Sequence, residues 1–291
     1  MPVHRSAEAA ARGDAGTPPI AIRMLATEDE LRACVVLQKL TWGADYDEFV
    51  PPSILTVTQK IGGVAAGAFD EDGTLLGFVF GLPGVRGGRI IHWSDMLAVR
   101  EGARDRGVGR RLKEFQRAAA RAAGATTMYW TYDPLVARNA HLNFNRLGVA
   151  VDEYVETMSG DSSSELHLGL GTDRFVVAWP LDRESQDQWR LAADDEPMDS
   201  DEVTVLNPGG RVPFQADLAK AGAGNELRVE IPLDIMRLRD DAPADAVRWR
   251  ASTRAALQWA LGSGYSVTRF VSDPPRDRGW YVMTRDGGNA R

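Results

Sequence analysis

Apolar and polar positions alternate along the first 180 residues in a pattern that predicts a regular series of elements. Ile20–Leu25 reads as a strand. Thr27-Glu28-Asp29-Glu30 has the form of a capping box and opens a helix. Leu31, Val35 and the Leu37–Leu40 region form its apolar stripe, and Trp42-Gly43 stops it. Pro51-Pro52-Ser53 opens a short second helix over Ile54–Ile61. Gly63–Phe69 and Thr74–Leu82 are strands joined by the turn Asp70-Glu71-Asp72-Gly73. A Pro-Gly-rich loop, Pro83–Gly88, leads into a strand over Arg89–Val99. Arg110–Ala123 is helical, with Leu112, Phe115, Ala119 and Ala122 on one face and Gly124 at its end. Thr126–Tyr132 is an aromatic-rich strand, and Pro134–Leu147 is a helix ended by Gly148. Val149–Thr157 and Arg174–Trp179 are the last two strands of the series, with a polar turn at Asp161–Ser164 between them.

A second, shorter pattern follows. Leu191–Glu202 carries six acids and no base, and reads as part of a linker. Beyond it lie a strand over Glu226–Ile231, a helix over Ala244–Leu261, and strands over Tyr265–Val271 and Trp280–Thr284. The helix places Trp249, Thr253, Ala256, Leu257 and Ala260 on one face. Such a β-α-β-β unit is too small to bury a core alone, so it packs on the preceding body or on a second subunit.

Between the strand ending at Val99 and the helix opening at Arg110 lies Arg104-Asp105-Arg106-Gly107-Val108-Gly109. Two glycines one residue apart let the backbone turn tightly. The amides of the following first helical turn have no partner inside the helix, and the helix dipole adds positive potential. Together they make a site for phosphate oxygens. A nucleotide P-loop needs Gly-Lys followed by Ser or Thr, whereas Arg110 and Arg111 follow Gly109. The dinucleotide fingerprint lacks its third glycine.

The segment resembles motif A of the GNAT acyltransferase superfamily, Arg/Gln-x-x-Gly-x-Gly/Ala, with Arg104, Gly107 and Gly109 at its fixed positions. The element order is similar to the GNAT order over residues 19–182. The longer chain resembles a bacterial subgroup of that superfamily with a C-terminal extension. The resemblance implies an α/β GNAT fold: a mixed, splayed central sheet flanked by helices, followed by a small β-α-β-β extension. The parts would be a disordered arm over 1–18, the acyltransferase domain over 19–182, an acidic linker over 183–202 and an accessory region over 203–291.

It also implies acetyl-CoA as acyl donor and direct transfer of the acetyl group to a primary amine in a ternary complex. The diphosphate would be held by Arg104, Arg106, Gly107, Val108, Gly109 and Arg110. The backbone of Leu97, Ala98 and Val99 would hold the pantetheine arm and polarise the acyl carbonyl. Asn139 is a further cofactor contact. Strict alternation puts Asp95 on the face of Leu97 and Val99, opposite His92 and Ser94, which makes Asp95 the candidate base and His92 the weaker one. The tyrosine acid found in many members falls on Phe144, and the usual asparagine falls on Ala137. Tyr132, Tyr154 or water would replace that acid. The missing hydroxyl also admits a silent module that binds acyl-CoA as a sensor or assembly partner. The acceptor pocket would be lined by Trp42–Phe49, with Asp45, Asp47 and Glu48 drawing a cationic amine, by Pro83–Gly88, and by the turn Asp173-Arg174.

Composition narrows the remaining classes. The 291-residue chain is 44% hydrophobic and 26% charged, as in globular proteins. Its net charge of −7 disfavours nucleic acid as a partner. Arg100–Gly124 nevertheless carries eight basic against three acidic residues, a patch suited to a polyanionic cofactor. Cys34 is the single cysteine, and the four histidines show no ligand spacing, so no metal is expected. Without an apolar leader or a membrane-length run, the expected place is the cytoplasm, with a small-molecule or peptide amine as partner and a homodimer as the assembly.

Overall fold

The computed structural model describes residues 19–44, 48–158, 170–181, 203–209 and 224–285. The arm over 1–18, Asp45 and Asp47, the turn at 161–164 and the linker over 183–202 lie outside the described residues.

Strand β1 (Ala21–Met24) leads to helix α1 (Glu28–Trp42) through the expected capping box. The Thr27 hydroxyl accepts from the Glu30 amide at 3.2 Å, and the Glu30 carboxylate accepts from the amides of Thr27 and Ala26. Arg23 clamps that carboxylate with two hydrogen bonds, so the strand end and the helix start are tied together. Next come α2 (Pro52–Lys60), β2 (Val64–Phe69), β3 (Leu75–Arg86) and β4 (Arg89–Val99). They are followed by α3 (Val108–Ala122), β5 (Thr127–Tyr132), α4 (Ala137–Ala140), β6 (Ala150–Val155) and β7 (Arg174–Pro180). Past α4 the chain widens into a π-helix over His141–Leu147, where the pattern predicts regular helix, and Gly148 closes it in the left-handed region.

The seven strands form one mixed sheet in the order β1-β2-β3-β4-β5-β7-β6. Only β4 and β5 run parallel, as the right-handed crossover through α3 requires. On one side the core is built from α1 and α2 residues such as Cys34, Leu37 and Leu55 against Phe78, Phe80, Met96 and Ala98. On the other, Val108 and Leu112 of α3 pack with Val64, Ala66 and Val79.

The segment Pro83–Gly88 is not a loop. β3 and β4 continue as one long hairpin, with Arg86 opposite Arg89. Gly87 and Gly88 both have positive φ, 57° and 73°, which the two-residue type I′ turn demands. Pro83 is tolerated because β2 pairs with β3 only as far as Gly81, leaving an open edge beyond it. The turn therefore lies at the far tip of a hairpin, and its expected place in the acceptor pocket is withdrawn.

The C-terminal part adds β8 (Thr204–Val205), β9 (Glu226–Pro232), α5 (Ile235–Asp241), α6 (Pro243–Gly262), β10 (Ser266–Asp273) and β11 (Arg278–Thr284). The short strand β8 and the helix α5 have no counterpart in the sequence reading. The four strands form a second sheet in the order β10-β11-β9-β8. It lies against β5, β7 and α4, sharing with them one continuous core that includes Tyr132, Phe144, Phe175, Trp249, Phe270 and Tyr281. The Asn145 amide bonds both backbone groups of Phe270, at 2.7 and 2.9 Å, and so docks the edge of β10.

Among the described residues, two ion pairs to buried carboxylates cross the same junction. Arg250 of α6 is bidentate to buried Asp133 at 2.9 and 2.6 Å and also donates to the Leu170 carbonyl. Arg254 is bidentate to Asp173, which is fully buried. Arg250→Met is expected to destabilise the chain by about 3–5 kcal/mol, because buried Asp133 loses its bidentate partner and keeps only Arg174, 4.0 Å away. A lowered urea midpoint checks this, and Asp133→Asn in the same chain should restore part of the loss.

Candidate functional site

The sheet is zipped at β4–β5 by only three rungs: Ile91 with Thr127, His92 with Met128, and Trp93 with Tyr129. From Ser94 and Trp130 onward the strands part into a fork. β4 stays paired with β3 along Leu97, Ala98 and Val99. Alternate backbone groups of that stretch therefore point into the fork with no strand to receive them.

At the open end of the fork the chain passes through a short 3₁₀ turn, Glu101–Ala103, into the glycine loop. Asp105 (φ 60°) and Gly107 (φ 71°) both take the left-handed conformation and fold the loop back on itself. α3 then begins at Val108, with Gly107 as N-cap and no side chain capping its first turn. Those amides point outward beside the end of β4. The protein itself does not require glycine at 109: a Cβ there would only touch Leu97 and Val99, both at 3.8 Å. What the missing side chain provides is clear space between the first turn of α3 and β4.

Arginines surround that space, but not all are available. Arg110 pairs with Glu114, and Arg111 donates to the Ile20 carbonyl. Arg104 and Arg106 are exposed in the loop. Arg138, which the sequence reading passed over in favour of its neighbour Asn139, faces the same region from α4. Burial lowers its pKa, and the nearby charge of Arg104 lowers it further, while Asp105 and Asp234 act the other way. Two guanidinium groups held this close across a gap favour an anion between them. The one signal in the sequence was its position next to Asn139, since no spacing rule links α4 to the loop.

The middle of β4 departs from strict alternation. Phe80 is opposite Met96 and Gly81 is opposite Ser94, so Asp95 is an extra residue in a β-bulge. The bulge resets the faces. His92 and Ser94 now lie on the α3 side together with Leu97 and Val99, not opposite them. Asp95 is left exposed at the bulge, hydrogen-bonded by the indole of Trp93. Crowding around its carboxyl raises its pKa, and the Trp93 hydrogen bond opposes the rise.

Behind the bulge lies a buried polar chain. Lys113 of α3 donates to the Ser94 hydroxyl at 2.6 Å. Ser94 donates to the Gln116 carbonyl oxygen at 2.7 Å, and the Gln116 amide nitrogen meets His92 Nε2 at 3.1 Å. The amide can only donate, so His92 Nε2 accepts and carries no proton. Burial, helped by the Lys113 charge, lowers the His92 pKa to about 4. His92 is thus a neutral member of the chain behind the sheet, and its role as a base facing an acceptor is withdrawn.

The two tyrosine substitutes for the acid are also engaged elsewhere. Tyr132 is buried; its hydroxyl lies 3.4 Å from that of Tyr281, which donates to the Pro134 carbonyl at 2.6 Å. Desolvation raises its pKa well above the usual tyrosine value. Its proton belongs to the junction core, so Tyr132 is set aside as the acid. Tyr154 donates to Asp173 at 2.6 Å, and burial likewise raises its pKa. The Asp173-Arg174 turn, expected at the pocket rim, is buried under α6 instead. Cys34 is a buried thiol pushed up to about 12 by desolvation. Among the described residues no group of His, Cys, Asp or Glu is arranged to hold a metal.

No family model and no curated protein matches the sequence. Among solved structures, the chain is similar to a GNAT-family acetyltransferase from Streptococcus pneumoniae (15% identity, 56% of this chain and 99% of that one, TM-score 0.45). It is also similar to the ribosomal-protein-S18-alanine N-acetyltransferase from Escherichia coli (15% identity, 58% and 98%, TM-score 0.43). A third is an aminoglycoside 6′-N-acetyltransferase complexed with coenzyme A (16% identity, 56% and 98%, TM-score 0.42).

The buried chain depends on Gly81. A Cβ there would meet His92 Nε2 at 2.4 Å, the Trp93 carbonyl at 2.6 Å and the Gln116 amide at 2.7 Å. Gly81→Ala is expected to cost about 1–3 kcal/mol through overpacking, read as a lowered melting temperature. By contrast, Gly84→Ala, where the nearest atoms belong to the Ile91 side chain, should be nearly neutral.

The strand order, the three-rung β4–β5 ladder with its fork, and the strand–glycine loop–helix passage together make the first sheet and its helices a GNAT acyltransferase fold, with a second four-stranded sheet added at the C-terminus.

Proposed function

We propose that this chain is an acetyl-CoA-dependent N-acyltransferase that moves the acetyl group directly to a primary amine. The observation that carries the reading is the clear space in front of Gly109, bounded by the uncapped amides of α3 and reached by Arg104, Arg106 and Arg138. Such a space suits a diphosphate, at the mouth of the fork. Gly107, Val108, Gly109 and Arg110 supply backbone donors, and Asn139 lines the facing turn of α4. The backbone groups along Leu97, Ala98 and Val99 that β3 leaves free on the fork side hold the arm and polarise the acyl carbonyl, with Arg104 able to move from the Val99 carbonyl to a phosphate.

Asp95 is the base. The bulge puts it at the depth where the fork closes, on the strand edge rather than under α3, and desolvation raises its pKa in the direction that favours taking a proton from an ammonium. Once deprotonated, the amine attacks the thioester carbonyl, and the carbon–sulfur bond breaks with its electron pair on sulfur. An acyl-enzyme has no support here, because Cys34 is buried under α1 and holds its proton tightly. Glu48, whose charge reaches Arg174, marks the acceptor side.

Acetyl-CoA should raise the melting temperature in proportion to its concentration. Gly109→Val extends a side chain into the clear space from a Cβ that meets only Leu97 and Val99, at 3.8 Å, so the fold should survive while the acetyl-CoA shift falls by more than tenfold in apparent affinity. An undiminished shift would place the diphosphate elsewhere.

With an amine panel and a free-thiol readout, kcat should rise with pH as Asp95 loses its proton, at a pKa above that of an ordinary aspartate. Asp95→Asn should lower kcat at least tenfold, remove that acidic limb and leave acetyl-CoA binding intact. Equal turnover in the variant would dismiss the assignment. Binding with no turnover on any amine would instead favour the sensor reading.

A further inference from the structure

Lys113 is the one lysine of α3 that faces inward. It is 3% exposed, and among the described residues no carboxylate pairs with it. Its ammonium has the Ser94 hydroxyl at 2.6 Å and the face of Trp130 with its ring centre 4.0 Å away. Those two contacts fix its place in the fork. Trp93 and Tyr129 make the last β4–β5 rung, and Ser94 and Trp130 are the first residues beyond it. The charge therefore lies at the closed end on the α3 side of the sheet, against both strands where they part.

A buried ammonium without a counter-ion is costly, and desolvation lowers its pKa to about 7. The other titratable or charged groups near it do not relieve that cost. His92 on β4 is neutral, and Arg117, one turn along α3, lies over Trp179 with its own positive charge. Among the described residues no carboxylate makes an ion pair with the cation.

The site lacks an acid where the resemblance implies one. Position 144 is phenylalanine, packed against the rings of Tyr132 and Tyr281. Its neighbour Asn143 accepts from the Trp130 indole at 3.2 Å, so Lys113 and position 144 lie on the same side of the fork. The distance along the fork also fits. From Val99 back to Ser94, β4 covers about 16 Å at ~3.3 Å per residue. A pantetheine arm of about a dozen bonds spans about 15 Å from phosphate to sulfur, by standard bond lengths.

We propose that the Lys113 ammonium, held by Ser94 at the closed end of the fork, receives the thiolate released when the thioester is cleaved. The inference rests on the acyl-CoA reading above and adds to it the group that serves the leaving sulfur. The carbon–sulfur bond breaks with its electron pair on sulfur, the ammonium offsets the new negative charge, and a proton then passes from Nζ to sulfur. CoA leaves as the thiol. Lys113 is left neutral and regains a proton from solvent when the product departs. The reverse proton movement requires no acceptor: CoA binding to the neutral amine gives an ammonium–thiolate pair.

That pair is directly observable. Free CoA thiol is only a few per cent ionised at neutral pH, as for an ordinary thiol. With saturating protein at neutral pH, the ultraviolet difference spectrum should show a thiolate band for most of the bound CoA, on the order of a tenfold increase in ionised fraction. Desulfo-CoA should bind and give no band. Lys113→Met, which removes a buried charge without changing the side chain's bulk greatly, should bind desulfo-CoA like wild type and give no band with CoA.

A wild-type complex with no more thiolate than free CoA overturns the inference, whether or not the variant folds. So does an undiminished band in Lys113→Met. If neither CoA nor desulfo-CoA binds, the carrier reading itself falls, and this inference with it.

Discussion

The early parting of β4 from β5 is the constraint on which the rest of this structure depends. Three parallel rungs hold the two halves of the sheet together, and then the ladder stops. A parted sheet leaves backbone donors and acceptors without partners, which is costly unless something polar fills the gap. Every feature of the site answers to that gap. The glycine loop opens at its mouth, the bulge at Asp95 marks its depth, and a lysine closes its floor. The fork is thus the element around which the neighbouring side chains are arranged.

The C-terminal sheet supports the same gap from outside. β5, β7 and α4 form the outer half of the fork, and one face of that half would be apolar and bare without the second sheet. Tyr281, Phe270 and Trp249 cover it, and the pairs Arg250–Asp133 and Arg254–Asp173 fix the angle of cover. Tyr132 is used here for packing and, through Tyr281, for a short hydrogen-bond run to the Pro134 carbonyl, and Tyr154 for a hydrogen bond to Asp173. Asp234, at the start of α5, brings a negative charge to Arg138, which faces the glycine loop from α4. The extension is therefore in electrostatic contact with the candidate site as well as in apolar contact with the body.

Much of this was readable from local pattern. The capping box of α1, the hairpin turn at Asp70–Gly73 and the strand–loop–helix passage all depend on residues close in sequence. Their physics is short-range: a hydroxyl meets an amide three residues on, or a glycine adopts positive φ. The errors also share a cause. Pro83–Gly88 looked like a loop because proline and glycine break isolated strands, yet on a sheet edge the same residues make a hairpin tip. Strict alternation failed at Asp95 because a bulge is set by how β3 and β4 register, and no single strand records its partner.

By itself the sequence determined the order of elements as far as β7, the strand–glycine loop–helix passage around Arg104–Gly109 and the absence of a hydroxyl at position 144, since each follows from residue identity and near neighbours. Only the tertiary structure decided the roles of His92, Tyr132, Arg138 and Lys113. A histidine is a base or a buried neutral link according to what α3 places beside it, and a lysine on an amphipathic helix is surface or floor according to where two distant strands part. Those contacts join residues about twenty to one hundred and fifty positions apart, and long-range packing of that kind leaves no periodic trace in the chain that carries it.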